Sequence, residues 1–369
     1  MKIPLVDLKA QHKPLMAQIN KSIKSIFESS SFIKGPILKD FEKSFAKFIG
    51  TNFAIGVASG TDALQLSLMA LGISPGDEVI MPVNTFIATA YAPLYLGAKP
   101  VFVDINEKTY NIDTDKIEQK ITKNTKVIIP VHLYGQPAQM DKILKIAKKY
   151  KLHVVEDCAQ AHGALLNNKK VGTFGILSAW SFYTSKNLGA CGDGGAVVTN
   201  SKKISEKLLR LRDFGRVSHN QHDVIGLNSR LDTIQAAILD IKLKHLDKWN
   251  IRRQQVANYY DKRFSLTKIS GLITPLIDKN AKSVYYVYTI RCQKRDRLMA
   301  HLADFGIQTG IYYPIPLHLQ KSLKHLEYKK GDFPVAEKVN SEILSLPMYP
   351  GLSKLQQDYI IKKIKYFYK

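Results

Sequence analysis

Cysteine, tryptophan and acidic residues are all scarce in this chain of 369 residues. The three cysteines, Cys158, Cys191 and Cys292, are too few and too widely spaced for a disulfide framework or a zinc site, and they fit a reducing cytoplasm. No apolar run is long enough to span a bilayer, so no membrane partner is expected. The start, Met1-Lys2-Ile3-Pro4-Leu5-Val6-Asp7, lacks the apolar stretch of a signal peptide. HExxH is absent, as are a P-loop lysine motif and a GxGxxG after the first strand. His219 and His222 form an H-x-x-H pair without further ligands at clear spacing, so no metal is expected. Acids number 31 against 54 Lys and Arg, leaving a formal charge of +23. Such a charge is one footprint of nucleic-acid binding. The lysines are scattered, however, as at Lys142, Lys145, Lys148, Lys149 and Lys151. A general preference for lysine accounts for them better, and no nucleic-acid partner is expected.

What is present is ordinary for a globular protein, with 45% hydrophobic and 23% charged residues and length for about two domains. Between about residues 50 and 200, β-branched runs alternate with helical patterns. Strands are expected at Phe53–Ala58, Glu78–Met81, Pro100–Asp104, Lys126–His132, Leu152–Asp157, Leu177–Phe182 and Gly195–Thr199. Helices are expected at Thr61–Leu71, Ala88–Leu96, Met140–Tyr150 and Lys203–Leu211, with an N-terminal one at Leu15–Ser29. The alternation predicts an α/β fold: a mostly parallel seven-stranded sheet covered by helices, with ligands beyond the C-terminal strand ends. Apolar spacing through Ile234, Ile238, Ile241 and Leu246 predicts one long helix over Thr233–Phe264. It would join a large domain, residues 1–245, to a smaller C-terminal α/β domain, residues 246–369. The latter would contain a strand over Val284–Arg291 and a helix over Arg295–Phe305 ending at Gly306.

Two residues carry the chemistry. Lys186 follows the aromatic run Ser181-Phe182-Tyr183 and precedes the glycine-rich turn Gly192-Asp193-Gly194-Gly195. Burial there would lower its pKa and free a neutral amine to attack carbonyls. Asp157 ends the apolar run Leu152-His153-Val154-Val155-Glu156. A carbonyl-trapping lysine and a carboxylate that keeps a ring nitrogen protonated are two halves of a pyridoxal phosphate (PLP) site. Asp157 also suits the N-cap of a following helix. Ser59-Gly60-Thr61 before a helix serves equally as a phosphate cradle or a routine N-cap. Gln160 is placed to donate to the ring hydroxyl, Ser181 to add a phosphate contact, and Phe86 to stack on the ring or fill the core. His162 reads as structural.

Together these segments resemble the DegT/DnrJ/EryC1/StrS family of PLP-dependent sugar aminotransferases, built on the fold type I scaffold. The resemblance begins at Pro4-Leu5-Val6-Asp7-Leu8 and Lys34-Gly35-Pro36, and passes through Glu156-Asp157-Cys158-Ala159-Gln160-Ala161-His162-Gly163 and the Lys186 segment. It continues through Gly226-Leu227-Asn228-Ser229-Arg230-Leu231-Asp232 to Tyr312-Tyr313-Pro314-Ile315-Pro316-Leu317-His318. The resemblance implies that Lys186 forms the internal aldimine with PLP, Asp157 pairs with the ring nitrogen, and Gln160 contacts the ring hydroxyl. It implies that Gly60, Thr61 and Ser181 hold the phosphate, and that Phe86 stacks on the ring. Asn228 would reach the phosphate from the partner subunit, so the active sites would be shared across a homodimer. Tyr183, Tyr313 and His318 match positions near the sugar nucleotide. Thr184-Ser185 before the lysine departs from the commoner Pro-Thr, Pro-Ser or Pro-Gly, which touches local backbone more than activity. Members with histidine in place of the lysine act as dehydratases, and Lys186 argues against that branch.

The family moves an amino group, usually from L-glutamate, to a keto group on a nucleotide-linked hexose. Ala161-His162-Gly163-Ala164 resembles the branch acting at C3 of dTDP-3-keto-6-deoxyhexoses, giving 3-amino-3,6-dideoxy sugars for surface glycans; the galacto or gluco epimer is not legible. Amino transfer at C4 of a UDP- or GDP-linked sugar is the alternative, and a PLP-sensing regulator is a further one. The chain has no obvious appended DNA-binding module, which counts against the regulator.

Overall fold

The computed structural model describes residues 1–267 and 269–369. Seven strands form the main sheet: β1 Phe53–Val57, β2 Glu78–Pro82, β3 Lys99–Val103, β4 Thr125–Ile128, β5 His153–Asp157, β6 Leu177–Ser181 and β7 Gly195–Thr199. Their order is β1-β7-β6-β5-β4-β2-β3. Strands β2 to β6 are mutually parallel; β7 runs antiparallel to both of its neighbours. The strands are almost wholly buried because helices cover both faces, which is why they read as continuous Val/Ile runs.

The helices are α1 Met16–Ser29, α2 Pro36–Ile49, α3 Gly60–Leu71, α4 Ala88–Leu94, α5 Met140–Tyr150, α6 Lys202–Leu211, α7 Thr233–Leu243 and α8 Leu246–Thr267. One face of the sheet packs Val57, Val79, Met81 and Val155 with Leu64, Leu66 and Leu68 of α3. The other packs Trp180 and Phe182 against Phe41 and Phe45 of α2 and Leu239 of α7, while Ile128 and Val154 meet Ile143 and Ile146 of α5. Each such side chain contributes roughly 1.5–3 kcal/mol by leaving water. Helix α1 lies on α7, where Leu15 and Ile19 meet Ile238.

Three elements differ from expectation. The helix over Thr233–Phe264 is two helices, α7 and α8, broken at Lys244–His245. The pattern spans two cores: Leu239 and Leu243 of α7 and Leu246 at the start of α8 pack with α2, whereas Val256, Tyr260 and Phe264 further along α8 pack with the C-terminal sheet. No glycine or proline marks the break. Strand β4 ends at Ile128 rather than His132, because Pro130 has no N–H for the ladder; Val131 makes only a single bridge, to Asp157.

The third difference is at Val284–Arg291, where the strand begins only at Tyr288 and runs on to Cys292. This is β9 of a three-stranded antiparallel sheet with β8 Leu272–Ile273 and β10 Ile343–Leu346. Val284 and Tyr286 instead donate to the carbonyls of Gly135 and Tyr134 in the large sheet's loops. Helices α9 Arg295–Asp304, α10 Pro334–Glu342 and α11 Lys354–Phe367 complete the C-terminal part.

Candidate active site

The C-terminal ends of β5 and β6 and the N-terminus of α3 open on one cavity of about 570 Å³. Open α/β sheets place ligands at such an edge. Asp157 ends β5, Ser181 ends β6, and Lys186 follows in the tight loop after β6. Gly60 is the first residue of α3, and Ser59 caps it by accepting the Asp62 N–H at 3.1 Å. A Cβ on Gly60 would lie 2.6 Å from Ser181 Cβ, so only glycine lets the helix start approach Ser181 this closely. Ser59 thus caps the helix, and it lines the cavity together with Gly60 and Thr61.

Asp157 is 5% exposed. Its Oδ2 accepts the Thr89 hydroxyl at 2.9 Å and its Oδ1 accepts the Ala159 N–H at 3.1 Å. Burial pushes the carboxyl up from its ordinary value; the Ala159 N–H, the Thr89 hydroxyl and the charge of Lys186 oppose it. Lys186 lines the same cavity, and desolvation lowers its ammonium to about 8, with Asp157 opposing. A neutral amine is thus available near neutral pH. Gln160 is fixed at both ends: its Oε1 accepts the Tyr134 N–H at 2.7 Å and its Nε2 donates to the Tyr313 hydroxyl at 3.0 Å. Phe86 is exposed into the cavity, 5.7 Å from the Tyr313 ring, and Tyr183 stands on the rim.

His318 is not brought to this cavity, and Asn228, expected at the phosphate of a partner subunit, lies outside it as well. His318 is buried beneath the site, its Nε2 2.9 Å from Glu337 Oε1 and its ring against Phe333. The Leu317 N–H donates to Val83 O and holds this segment down on the sheet edge, away from the cavity lining. Asn228 is surface-exposed and outside this chain's cavity. Its neighbour Ser229 is buried, donating to Asp62 Oδ2 at 2.6 Å and accepting the Ala58 N–H at 3.1 Å.

Residues not singled out from the sequence also line the cavity, chiefly Thr89, Tyr286 and Tyr312. Thr89 lies one turn after Thr85, and their hydroxyls are 3.0 Å apart, but nothing local signals the bond to Asp157. Tyr286 sat in a run read as strand.

Beside the site, His132, Glu156 and Cys158 form a buried cluster with metal-like spacing. Two of its members, His132 and Glu156, are taken up by hydrogen bonds. Glu156 accepts N–H groups of Gly172 at 2.8 Å, Phe174 at 2.8 Å and Gly175 at 2.7 Å, and faces His132 Nε2 at 3.0 Å. His132 Nδ1 accepts the Ala138 N–H at 3.0 Å, which assigns the proton to Nε2 and aims it at Glu156.

The DegT/DnrJ/EryC1/StrS aminotransferase family matches residues 14–365. The chain belongs to this family. It is an aminotransferase on a fold type I scaffold. Among its relatives, a "pleiotropic regulatory protein" of Geobacillus stearothermophilus is 45% identical over 100% of this chain and 99% of its own length. A UDP-N-acetyl-3-dehydro-alpha-D-glucosamine 3-aminotransferase of Acidithiobacillus ferrooxidans is 46% identical over 96% of this chain and 95% of its own. A dTDP-3-amino-3,6-dideoxy-alpha-D-galactopyranose transaminase of Aneurinibacillus thermoaerophilus is 43% identical over 98% of each chain. The crystal structure of DesV from S. venezuelae superposes with a TM-score of 0.97 at 41% identity, covering 100% of this chain and 99% of that one. Among the described residues, no helix of this family member is long and apolar enough to cross a membrane.

Proposed function

We propose that this aminotransferase transfers the amino group of L-glutamate to the 3-keto group of a dTDP-linked 3-keto-6-deoxyhexose, giving a dTDP-3-amino-3,6-dideoxyhexose. The observation that carries the reading is the convergence of Lys186, Asp157 and the open start of α3 on one cavity. These residues fit PLP. The missing side chain at Gly60 leaves room at the N–H groups of α3, which with the Thr61 and Ser181 hydroxyls would hold a phosphate. Asp157 is desolvated and hydrogen-bonded only by neutral donors, and a protonated ring nitrogen would give it a charged hydrogen-bond partner. Bound PLP supplies an amino-group carrier and an electron sink.

The chain's own residues do the rest. Lys186 provides the amine that holds the cofactor, then moves the proton at the sugar carbon that gains nitrogen. Asp157 keeps the ring nitrogen's proton in place, Thr89 and the Ala159 N–H orient that carboxylate, and Gln160 presents an N–H toward the ring hydroxyl. Phe86 covers the ring. Tyr183 and Tyr313 flank the sugar nucleotide, and the chain's net charge of +23 favours approach of its diphosphate. We place Asn228 at the phosphate of a partner subunit in a cytoplasmic homodimer, because it faces outward while Ser229 beside it is locked to α3. The 3-position is supported by the names of two relatives, one using a dTDP sugar and one a UDP sugar.

The test is the visible spectrum of the purified protein with L-glutamate, then with a dTDP-3-keto-6-deoxyhexose. A band that bleaches with glutamate and returns with the keto sugar is expected. A band that returns only with a 4-keto or UDP-linked sugar would reassign the substrate. No band after incubation with PLP would overturn the role of Lys186.

A further inference from the structure

Tyr286 lies where the C-terminal part meets the Lys186 loop, and it is 6% exposed. Its ring centroid is 4.6 Å from Lys186 Nζ. Its hydroxyl is 3.2 Å from the hydroxyl of Ser185, next to that lysine. The backbone around it is fixed from both sides. The Tyr286 N–H donates to Tyr134 O at 3.0 Å, and the Tyr286 carbonyl accepts from Arg253 Nη1 at 3.3 Å. The same buried guanidinium reaches Tyr285 O at 3.2 Å and Met348 O at 3.0 Å. Asn187, on the other side of Lys186, donates to Val284 O at 3.0 Å. These bonds hold one ring over one amine.

We infer that Tyr286 is a further catalytic residue: its ring face receives the Lys186 ammonium, and its hydroxyl fixes the loop through Ser185. The inference rests on Lys186 being the reacting amine. An ammonium over a ring face within about 6 Å is attracted by the ring's quadrupole, more strongly where water is excluded. Burial works in the opposite direction, toward the neutral amine. The other titratable groups around the amine are Asp157 at the end of β5, Asp193 in the glycine turn, His162 behind the loop, and the hydroxyls of Tyr183, Tyr312 and Tyr313. Asp157 favours the ammonium. Among the described residues, Tyr286 is the one whose ring lies over Lys186 Nζ. It keeps the amine from becoming neutral too readily, so that Lys186 can both give and take a proton near neutral pH.

The experiment follows PLP capture by protein stripped of cofactor, read as the rate of appearance of the visible band against pH. The wild-type midpoint is expected at about 8. Tyr286→Phe keeps the ring and should stay within about 0.2 pH units, whereas Tyr286→Leu should fall by about half a unit. Fluorinated phenylalanines at position 286 keep the shape and withdraw charge from the ring face; the midpoint should step down with each added fluorine. A Tyr286→Leu midpoint at or above wild type, or a fluorinated series with no trend, would overturn the inference. Failure of the underlying assignment looks different: Lys186→Ala would then give the wild-type band.

Discussion

Glu156 is the residue whose loss should cost this fold most for the smallest change in shape. Its carboxylate is fully buried and accepts three backbone N–H groups and the His132 Nε2–H. Glu156→Gln keeps the volume and replaces one acceptor with an NH2. If the carbonyl faces Phe174 and Gly175, the amide points at the Gly172 N–H, and two donors oppose each other. His132 gives no relief by changing tautomer, because its Nδ1 already accepts from Ala138. At least one buried donor is stranded, at about 1–3 kcal/mol, and the remaining bonds lose their charge assistance. The total is about 3–5 kcal/mol, a large share of the roughly 5–15 kcal/mol that holds a typical domain together. Urea unfolding followed by circular dichroism should show the midpoint falling by about 1 M or more. A shift corresponding to less than about 1 kcal/mol would refute the reasoning, since it would mean that the network repacks without penalty.

Three further outcomes are expected. Gly60→Ala forces a Cβ against Ser181 Cβ and its Cα at 3.1 Å, so PLP affinity should fall at least about tenfold in a fluorescence titration; wild-type affinity would remove the cradle. Burial depresses His162 to about 3, so the unfolded chain binds a proton that the folded chain does not between that pH and the ordinary 6.5. Stability is fully present above 6.5 and declines as pH falls, by about 2 kcal/mol from this group between pH 6.5 and 5. His162→Phe should flatten the urea stability profile there by that amount, and an unchanged slope would count against a buried neutral ring. Lys186→Ala and Asn228→Ala subunits, each impaired alone, should regain turnover when unfolded and refolded together, because each mixed dimer carries one intact site. Absence of recovery would argue for sites complete within one chain.

The sheet was legible because strands buried on both faces carry unbroken Val/Ile runs, as in Val79-Ile80-Met81 and Val154-Val155. The edges of that reading failed where tertiary partners decided. Lys244–His245 breaks a helical pattern with no local breaker, in a stretch that spans two cores. Val284–Tyr286 has strand chemistry, yet the N–H groups of Val284 and Tyr286 bond across to the loops of the other sheet. That Lys186, Asp157 and Gly60 would line one cavity was readable because chemistry and turn geometry constrain their immediate neighbours. Tyr286 and Thr89 were not, since what each touches lies about 70 to 100 positions away in the chain. His318 is buried rather than lining the cavity, and its neighbours in sequence give no sign of Glu337, on α10, whose carboxylate meets its ring nitrogen.

Ser229 joins two things that would otherwise be independent. It fastens the segment carrying Asn228 to Asp62, in the first turn of α3, the helix proposed to cradle this chain's own phosphate. In a dimer where Asn228 completes the neighbour's site, a phosphate settling on α3 of one subunit stiffens the residue offered to the other. Occupancy then becomes a message: filling one site changes the affinity of the second, and by linkage the effect is the same in both directions. Such a dimer would take up its two cofactors with unequal affinities, and a stripped protein would return to full loading in two steps rather than one.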